Sequence, residues 1–411
     1  MSLPRWVSRL GLTTAIILLS PTLPIVTGAL LPGIPFVGVF GTAFESFLSL
    51  HIVLAAVAAL LLALAAWWMR GGRVAAITAA LSAVATLAGL IPLCALIAAA
   101  HREGASVSWQ QHLHVTAIGP AATPDETVLY ATLGGQKLYA DVYLPDQRTY
   151  SAPWPTAFMM HGGGFVRGGR SDGRNWDRWL AQRGYAVFDV DYRLAPPISW
   201  NLAAPDVACA MAWVRDHAQS LHIDPERTLM VGQSAGATLA LQIAYGIGDG
   251  SVVSSCGGSV HSPDAVFALY PAEDLGLLWT EERNLGPLKS REVDITYIGG
   301  PPDEFPDRYR AVSPLAHVRA GLPATFIAYG AADHLIPMSG HPLLAARLTE
   351  VGVANVLLAV PYSDHGYDLL WGSIGGQITQ HVLSDFLSRH FPAQTARTTS
   401  GAGAGADAAG H

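Results

Sequence analysis

Charge is what this sequence has least of. Only 13% of its 411 residues are Asp, Glu, Lys or Arg, against about a quarter in an ordinary soluble domain. The shortage is concentrated in residues 1–100, whose formal charges are Arg5, Arg9, Glu45, Arg70 and Arg73. A net charge of −7 excludes the basic footprint expected of a nucleic-acid binder. Cysteine is also scarce. Cys94, Cys209 and Cys256 form neither a CxxC pair nor a metal-ligand spacing, so no metal and no cofactor is expected. Cys94 lies inside an apolar run. Cys209 and Cys256 could pair in an oxidising compartment, although a sparse, odd count reads more readily as buried thiols. There is no internal repeat.

Long apolar runs fill the space that charge leaves. Residues 47–69 contain no formal charge and as a helix would reach about 34 Å, enough for the roughly 30 Å of bilayer hydrocarbon. Trp67 and Trp68 close the run, as aromatics do at a membrane interface. Residues 74–100 form a second such run with Pro92 as a possible kink. Residues 10–31 form a third, interrupted by Pro21 and Pro24, which could instead be a signal peptide behind Arg5 and Arg9. A multi-pass membrane segment over 1–100 is therefore expected. The arginines set its direction. Arg5 and Arg9 precede the first run and Arg70 and Arg73 fill the turn between the last two, whereas 32–46 has no Lys or Arg. The positive ends should face the cytoplasm, which sends everything beyond residue 100 to the extracytoplasmic side.

Past a polar connector, 101–126, the character changes. Residues 127–133 and 137–144 alternate apolar and polar around Gly134-Gly135, the pattern of a hairpin. Apolar strands are then expected at 155–160, 185–191, 227–232, 264–270, 323–329 and 354–360. Helices are expected at 175–183, 202–220, 235–246, 338–351 and 375–390. Such alternation implies an α/β domain over 127–391, with a mostly parallel sheet covered on both faces. Its chemistry should sit at the carboxyl ends of the strands. Residues 272–312 break the rhythm and read equally as a surface connection or as a lid lining a pocket. The stretch 392–411 is a low-complexity tail expected to be disordered.

Two motifs carry the chemistry. Gly232-Gln233-Ser234-Ala235-Gly236 lies between an apolar strand and a helical stretch, the strand–turn–helix setting that lifts a serine hydroxyl out of a sheet. His161-Gly162-Gly163-Gly164-Phe165 follows another strand. Glycines there leave backbone N–H groups open to an oxyanion. A hydroxyl needs a base and the base an orienting acid. Asp333 in GAADHLIP and His365 in PYSDHGYD each follow a strand, in the order Ser, Asp, His that this fold uses. His334, His341, His317, His381 and His390 are worse placed, and Asp364 should point away from its neighbour His365. Asp191 and Arg193 in DYRLAP read as a structural turn. Asp206 reads as a first-turn charge favouring a helix dipole.

Taken in order, HGGGF, DYRLAP, IDPER, GQSAG, GAADHLIP and DHG resemble the hormone-sensitive-lipase-like esterases and the BD-FAE-type carboxylesterases of the α/β-hydrolase superfamily. The resemblance covers about residues 125–391. It implies an eight-stranded sheet with one antiparallel strand, a Ser234–His365–Asp333 triad, and an oxyanion hole from the N–H groups of Gly163, Gly164 and Ala235, with Gly162 in the same loop. It implies that His161 orders that loop and does not react. Soluble members often carry an N-terminal helical cap where this chain has apolar runs, so the pocket roof must come from elsewhere. The expected activity is ester hydrolysis through an acyl-enzyme, on a small-molecule or lipid ester, at the bilayer. A peptidase, amidase or acyltransferase could use the same triad, and an inactive tethered binding domain is the reading from another class.

Overall fold

The computed structural model describes residues 5–114, 123–282 and 289–394. The expected tail therefore lies almost wholly outside the described residues. Three long helices come first: α1 (Arg5–Leu30), α2 (Val37–Arg70) and α3 (Arg73–Arg102). Each is long and apolar enough to cross a membrane. Their outer faces stay bare. Ile17, Leu54, Leu61, Trp68, Ile77 and Leu87 are exposed, so these helices are apolar on their outer faces too.

Pro21 and Pro24 do not break α1. Pro21 lacks the N–H that would bond Ile17, and the Ser20 hydroxyl donates to that carbonyl instead, at 2.9 Å. Helix α2 starts ten residues before the apolar run anticipated at 47–69, and bends at Leu48, whose φ and ψ are −125° and 20°.

The bundle is packed onto the domain that follows. Leu96 and Ala99 of α3 share a buried cluster with Ile378, Leu383 and Phe386. In the connector a short helix, α4 (Trp109–Leu113), buries His112, whose Nδ1 lies 3.1 Å from the Gly372 carbonyl.

Eight strands follow: β1 (Glu126–Leu133), β2 (Gln136–Tyr143), β3 (Trp154–Met160), β4 (Ala186–Val190), β5 (Ile223–Gln233), β6 (Ala265–Leu269), β7 (Ala324–Gly330) and β8 (Asn355–Val360). They form one sheet in the order β1-β2-β4-β3-β5-β6-β7-β8. Only β2 runs against the rest. Gly134 and Gly135 turn the β1–β2 hairpin with φ of 58° and 82°, the paired positive values of a two-residue type I′ turn. The central strands bury both faces, β3 at every position, which is why they read as unbroken apolar runs.

The interleaved helices are α5 (Arg174–Ala181), α6 (Ala203–Asp216), α7 (Ala218–Leu221), α8 (Ala235–Gly246), α9 (Leu275–Thr280), α10 (Ser290–Ile298), α11 (Pro306–Val312), α12 (Gly340–Glu350) and α13 (Ile374–His390). The helix expected over 202–220 is two, divided at His217, whose ring takes the Trp213 carbonyl at 2.7 Å. The segment 272–312 is no plain connection, since α9, α10 and α11 fall within it. Cys209 of α6 is disulfide-bonded to Cys256, against the expectation of plain thiols.

Candidate active site

The turn from β5 into α8 is built by what its glycines lack. A Cβ on Gly232 would come within 2.1 Å of the Gly236 carbonyl oxygen, and one on Gly236 within 2.1 Å of the Met160 carbonyl oxygen. Only bare backbone can pass there. Ser234 is driven to φ 55° and ψ −123°, a region that side chains rarely occupy and that the surrounding packing must enforce. Its N–H is held by Leu269 O at 2.9 Å.

The other two groups arrive from β7 and β8. Asp333, three residues beyond β7, is buried. Its Oδ1 accepts the N–H groups of Leu335 and Ile336, both at 2.8 Å, and its Oδ2 lies 2.9 Å from His365 Nδ1. His365, five residues beyond β8, places Nε2 at 2.9 Å from Ser234 Oγ. Burial alone would raise the Asp333 pKa, but the charge and hydrogen bond of His365 and the two N–H groups outweigh it and hold the group below its ordinary value. Burial works against the His365 imidazolium. The charge and hydrogen bond of Asp333, with the charges of Asp364 and Asp368, outweigh that and raise its pKa.

A cavity of about 530 Å³ opens at Ser234 and is lined by Gly162, Gly163, Gly164, Ala235 and His365 among others. Gly163 and Gly164 have φ of 113° and 65°. Among the described residues, nothing accepts a hydrogen bond from the N–H of Gly163, Gly164 or Ala235. Three free donors at the cavity wall, beside the Ser234 hydroxyl, are what an oxyanion requires.

His161 is buried and takes no part in this line. Its Nδ1 is 2.7 Å from the Gly162 carbonyl, and its ring stacks on Tyr192 at 4.4 Å between centroids. Burial lowers its pKa, so it stays neutral as a brace for the glycine loop. From α10, Val293 and Asp294 also line the cavity, and Tyr297 stacks on Phe165 at 4.0 Å.

Several partners could not be read from the sequence. Asp368 accepts Trp176 Nε1 at 2.6 Å, Gln233 Nε2 at 2.9 Å and the Tyr270 hydroxyl at 2.7 Å, and the Tyr270 ring lies 4.6 Å from that of His365. The only signal was its place three residues after His365. The Asp364 side chain faces α2 and His334, as anticipated, while its Oδ1 also accepts the backbone N–H of His365 at 2.8 Å. Buried His341 is paired with Glu273. Asp206 is more than a first-turn charge. It is buried and takes Arg193 at 2.7 and 2.6 Å and the Ser255 hydroxyl at 3.0 Å. Arg193 and Asp191 thus brace different partners, since Asp191 holds Arg170 at 2.8 Å.

The BD-FAE family matches residues 140–348. The chain belongs to that family. Esterase LipC of Mycobacterium tuberculosis is 30% identical over 243 residues, 58% of this chain and 59% of LipC. Esterase LipQ of the same organism is 23% identical over 256 residues, 62% of this chain and 60% of LipQ. The chain thus spans about three fifths of the length of these relatives. Thermogutta terrifontis esterase 2 shares the fold. Its apo form has a TM-score of 0.54 at 23% identity over 66% of this chain and 96% of its own. Its butyrate-bound form has 0.55 at 22% over 69% and 98%. This BD-FAE domain therefore has the eight-stranded esterase-like sheet, preceded by three apolar helices.

Proposed function

We propose that this BD-FAE member is a membrane-anchored serine esterase that cleaves carboxylic esters through an acyl-Ser234 intermediate. The observation that carries the reading is the unbroken line from Ser234 Oγ to His365 to Asp333, at 2.9 Å each, beside three unused N–H donors. Ser234 Oγ attacks the ester carbonyl while His365 Nε2 takes the hydroxyl proton. Gly163, Gly164 and Ala235 hold the resulting oxyanion. His365 returns the proton to the leaving alcohol, and water repeats the cycle to release the acid. Asp333 keeps its charge throughout and stabilises the imidazolium. These steps use only the chain's own groups.

The cavity lies within the roughly 300–1,000 Å³ of small-molecule sites. Leu278, Val293, Leu335, Ile336 and Leu369 line it, which favours an apolar acyl or alcohol chain. Thermogutta terrifontis esterase 2 is known with propionate and with butyrate bound. That supports short acyl groups here, with α10 as part of the pocket roof.

The bare apolar faces of α1, α2 and α3 support residence in a bilayer. Two features support a side. The α1–α2 connector and the end of α3 both meet the hydrolase domain, at the end of the bundle opposite Arg70 and Arg73. The Cys209–Cys256 disulfide suits an oxidising compartment. Both favour an extracytoplasmic catalytic domain.

The test uses the full chain in detergent or nanodiscs. Ser234→Ala should abolish hydrolysis of p-nitrophenyl butyrate and labelling by a fluorophosphonate. Labelling that survives the substitution would remove Ser234 from the chemistry.

A further inference from the structure

The loops carrying Asp333 and His365 are joined behind the triad by Asp364, and the far side of that joint is the α1–α2 hairpin. Asp364 is buried. Its Oδ1 accepts the backbone N–H groups of His365 at 2.8 Å and His334 at 3.0 Å. Its Oδ2 accepts the Thr42 hydroxyl at 2.5 Å and lies 2.9 Å from His334 Nδ1. Its own N–H donates to Ser46 Oγ at 2.8 Å, and that hydroxyl donates to the Thr42 carbonyl at 2.7 Å. The Thr42 proton has a second acceptor in reach, Gly38 O at 2.9 Å. The shorter contact, to a carboxylate, takes it.

His334 closes the circuit. Its Nε2 lies 2.7 Å from the Pro32 carbonyl. The Thr42 hydroxyl also lies 3.3 Å from Nδ1 but gives its proton to Asp364, and the Asp364 carboxylate and the Pro32 carbonyl can only accept, so the imidazolium satisfies both ring nitrogens. Burial opposes that charge, but the Asp364 hydrogen bond and charge, Pro32 and Asp333 raise the His334 pKa overall. Asp364 and His334 form a buried ion pair that ties the connector before α2 to the residues flanking the triad. Leu335 and Ile336, next along the chain, already line the cavity.

We infer that Thr42 and Ser46 of α2, acting through Asp364 and His334, are positioning residues for Asp333 and His365, so that the hairpin leading into the membrane is a working part of the catalytic centre. This rests on the esterase reading above. One carboxylate holds the backbone of the catalytic histidine and of the residue following the catalytic aspartate. If it shifts, the Ser234–His365 and His365–Asp333 contacts shift together. Misplacing a reacting group by about 1 Å can cost on the order of 10²-fold.

The experiment compares wild type, Thr42→Val/Ser46→Ala, Thr42→Ser and Asp364→Asn, all as full chains in nanodiscs. Turnover of p-nitrophenyl butyrate is divided by the serine titrated with a fluorophosphonate, so loss of folded protein does not count. The double variant should lose at least about tenfold in kcat per labelled serine with KM little changed. Thr42→Ser, which keeps the hydroxyl, should retain wild-type kcat. Asp364→Asn should lower kcat. It should also move the acid limb of kcat/KM to lower pH, because one of three carboxylates acting on His365 is gone while Asp333 and Asp368 remain, with the Tyr270 ring packed against it and His334 paired to Asp364. Wild-type kcat per labelled serine in the double variant would overturn the inference. If the double variant does not fold, an unchanged kcat and acid limb in Asp364→Asn would overturn it equally. Failure of wild type to label or turn over would instead sink the esterase reading, which is a separate result.

Discussion

Replacing Asp333 by asparagine separates the triad's geometry from its charge, and the structure dictates which way the new amide must face. Asp333 Oδ1 accepts two backbone N–H groups, from Leu335 and Ile336 at 2.8 Å. An amide nitrogen there would set donors against donors. The asparagine oxygen must therefore occupy that side, and its NH₂ must face His365 Nδ1 at the 2.9 Å position now held by Oδ2. Facing a donor, Nδ1 can only accept, so the ring proton moves to Nε2. Nε2 then donates toward Ser234 Oγ and can no longer take its proton. The expected loss in kcat is about 10⁴-fold, as for the same exchange in the Ser-His-Asp template, or about 5.5 kcal/mol of barrier at roughly 1.36 kcal/mol per decade. Wild-type His365 must be neutral to act as base, and its pKa is raised. Wild-type kcat/KM should therefore fall on the acid side of a midpoint above the ordinary value of about 6.5. Losing the Asp333 charge moves that midpoint down. The assay is p-nitrophenyl butyrate hydrolysis from pH 5 to 9 with a thermal melt on the same preparation. A folded Asp333→Asn protein keeping a tenth or more of wild-type kcat at pH 7.5 would refute the reasoning.

Asp294→Asn tests a buried carboxyl with no partner among the described residues. Burial and the Glu282 charge push its pKa well up. Above the unfolded value near 3.8 the unfolded chain releases a proton the folded one keeps, so stability falls as pH rises. Asp294→Asn should leave the melting point unchanged near pH 4 and raise it at pH 8, by about 2–4 °C per kcal/mol relieved, and a lower value at pH 8 would contradict this. Gly163→Ala should cost about 10²–10³ in kcat, because the new Cβ would meet the Arg167 carbonyl oxygen at 2.1 Å and displace an oxyanion donor; rates on folded, serine-titrated protein decide it. Breaking the Cys209–Cys256 bond, which closes a separation of 47 residues, should cost about 4 kcal/mol by loop entropy, read as a lower melting point in reductant. No shift would mean the pair contributes nothing.

What the sequence made legible was local. Gly232 and Gly236 flank Ser234 at fixed spacing because a single turn imposes both gaps. Asp333 and His365 stand just beyond apolar runs because strand ends are where this fold exposes side chains. The buried strands announced themselves as unbroken apolar stretches. Illegible were the groups whose roles depend on distant chain: Asp368 beneath Trp176, Gln233 and Tyr270, the Glu273–His341 pair, and Asp206, whose first-turn position hid its Arg193 partner. Nothing in spacing reports a contact across 192 residues, such as Trp176 to Asp368. The proline-interrupted run at 10–31 was ambiguous for a different reason. Spacing does not say whether something else bonds the carbonyl a proline abandons, and for Pro21 the Ser20 hydroxyl does.

Helix α2 shows where hydropathy stops informing. Averaging finds a run beginning at 47, because Thr42, Glu45 and Ser46 dilute the apolar signal before it, yet the helix begins at Val37. The omitted turns are those that pack against the hydrolase domain. Thr42, Glu45, Ser46 and Ser49 are all buried, and a bilayer could not supply the partners that Thr42 and Ser46 find in Asp364. The bend at Leu48 falls within this polar stretch. The helix thus carries two patterns in one run, a polar stretch from which Thr42 and Ser46 reach Asp364 and an apolar stretch beyond it. The polar stripe can be recognised only once its acceptor is known. That acceptor lies 322 residues away, beside the histidine proposed as the base.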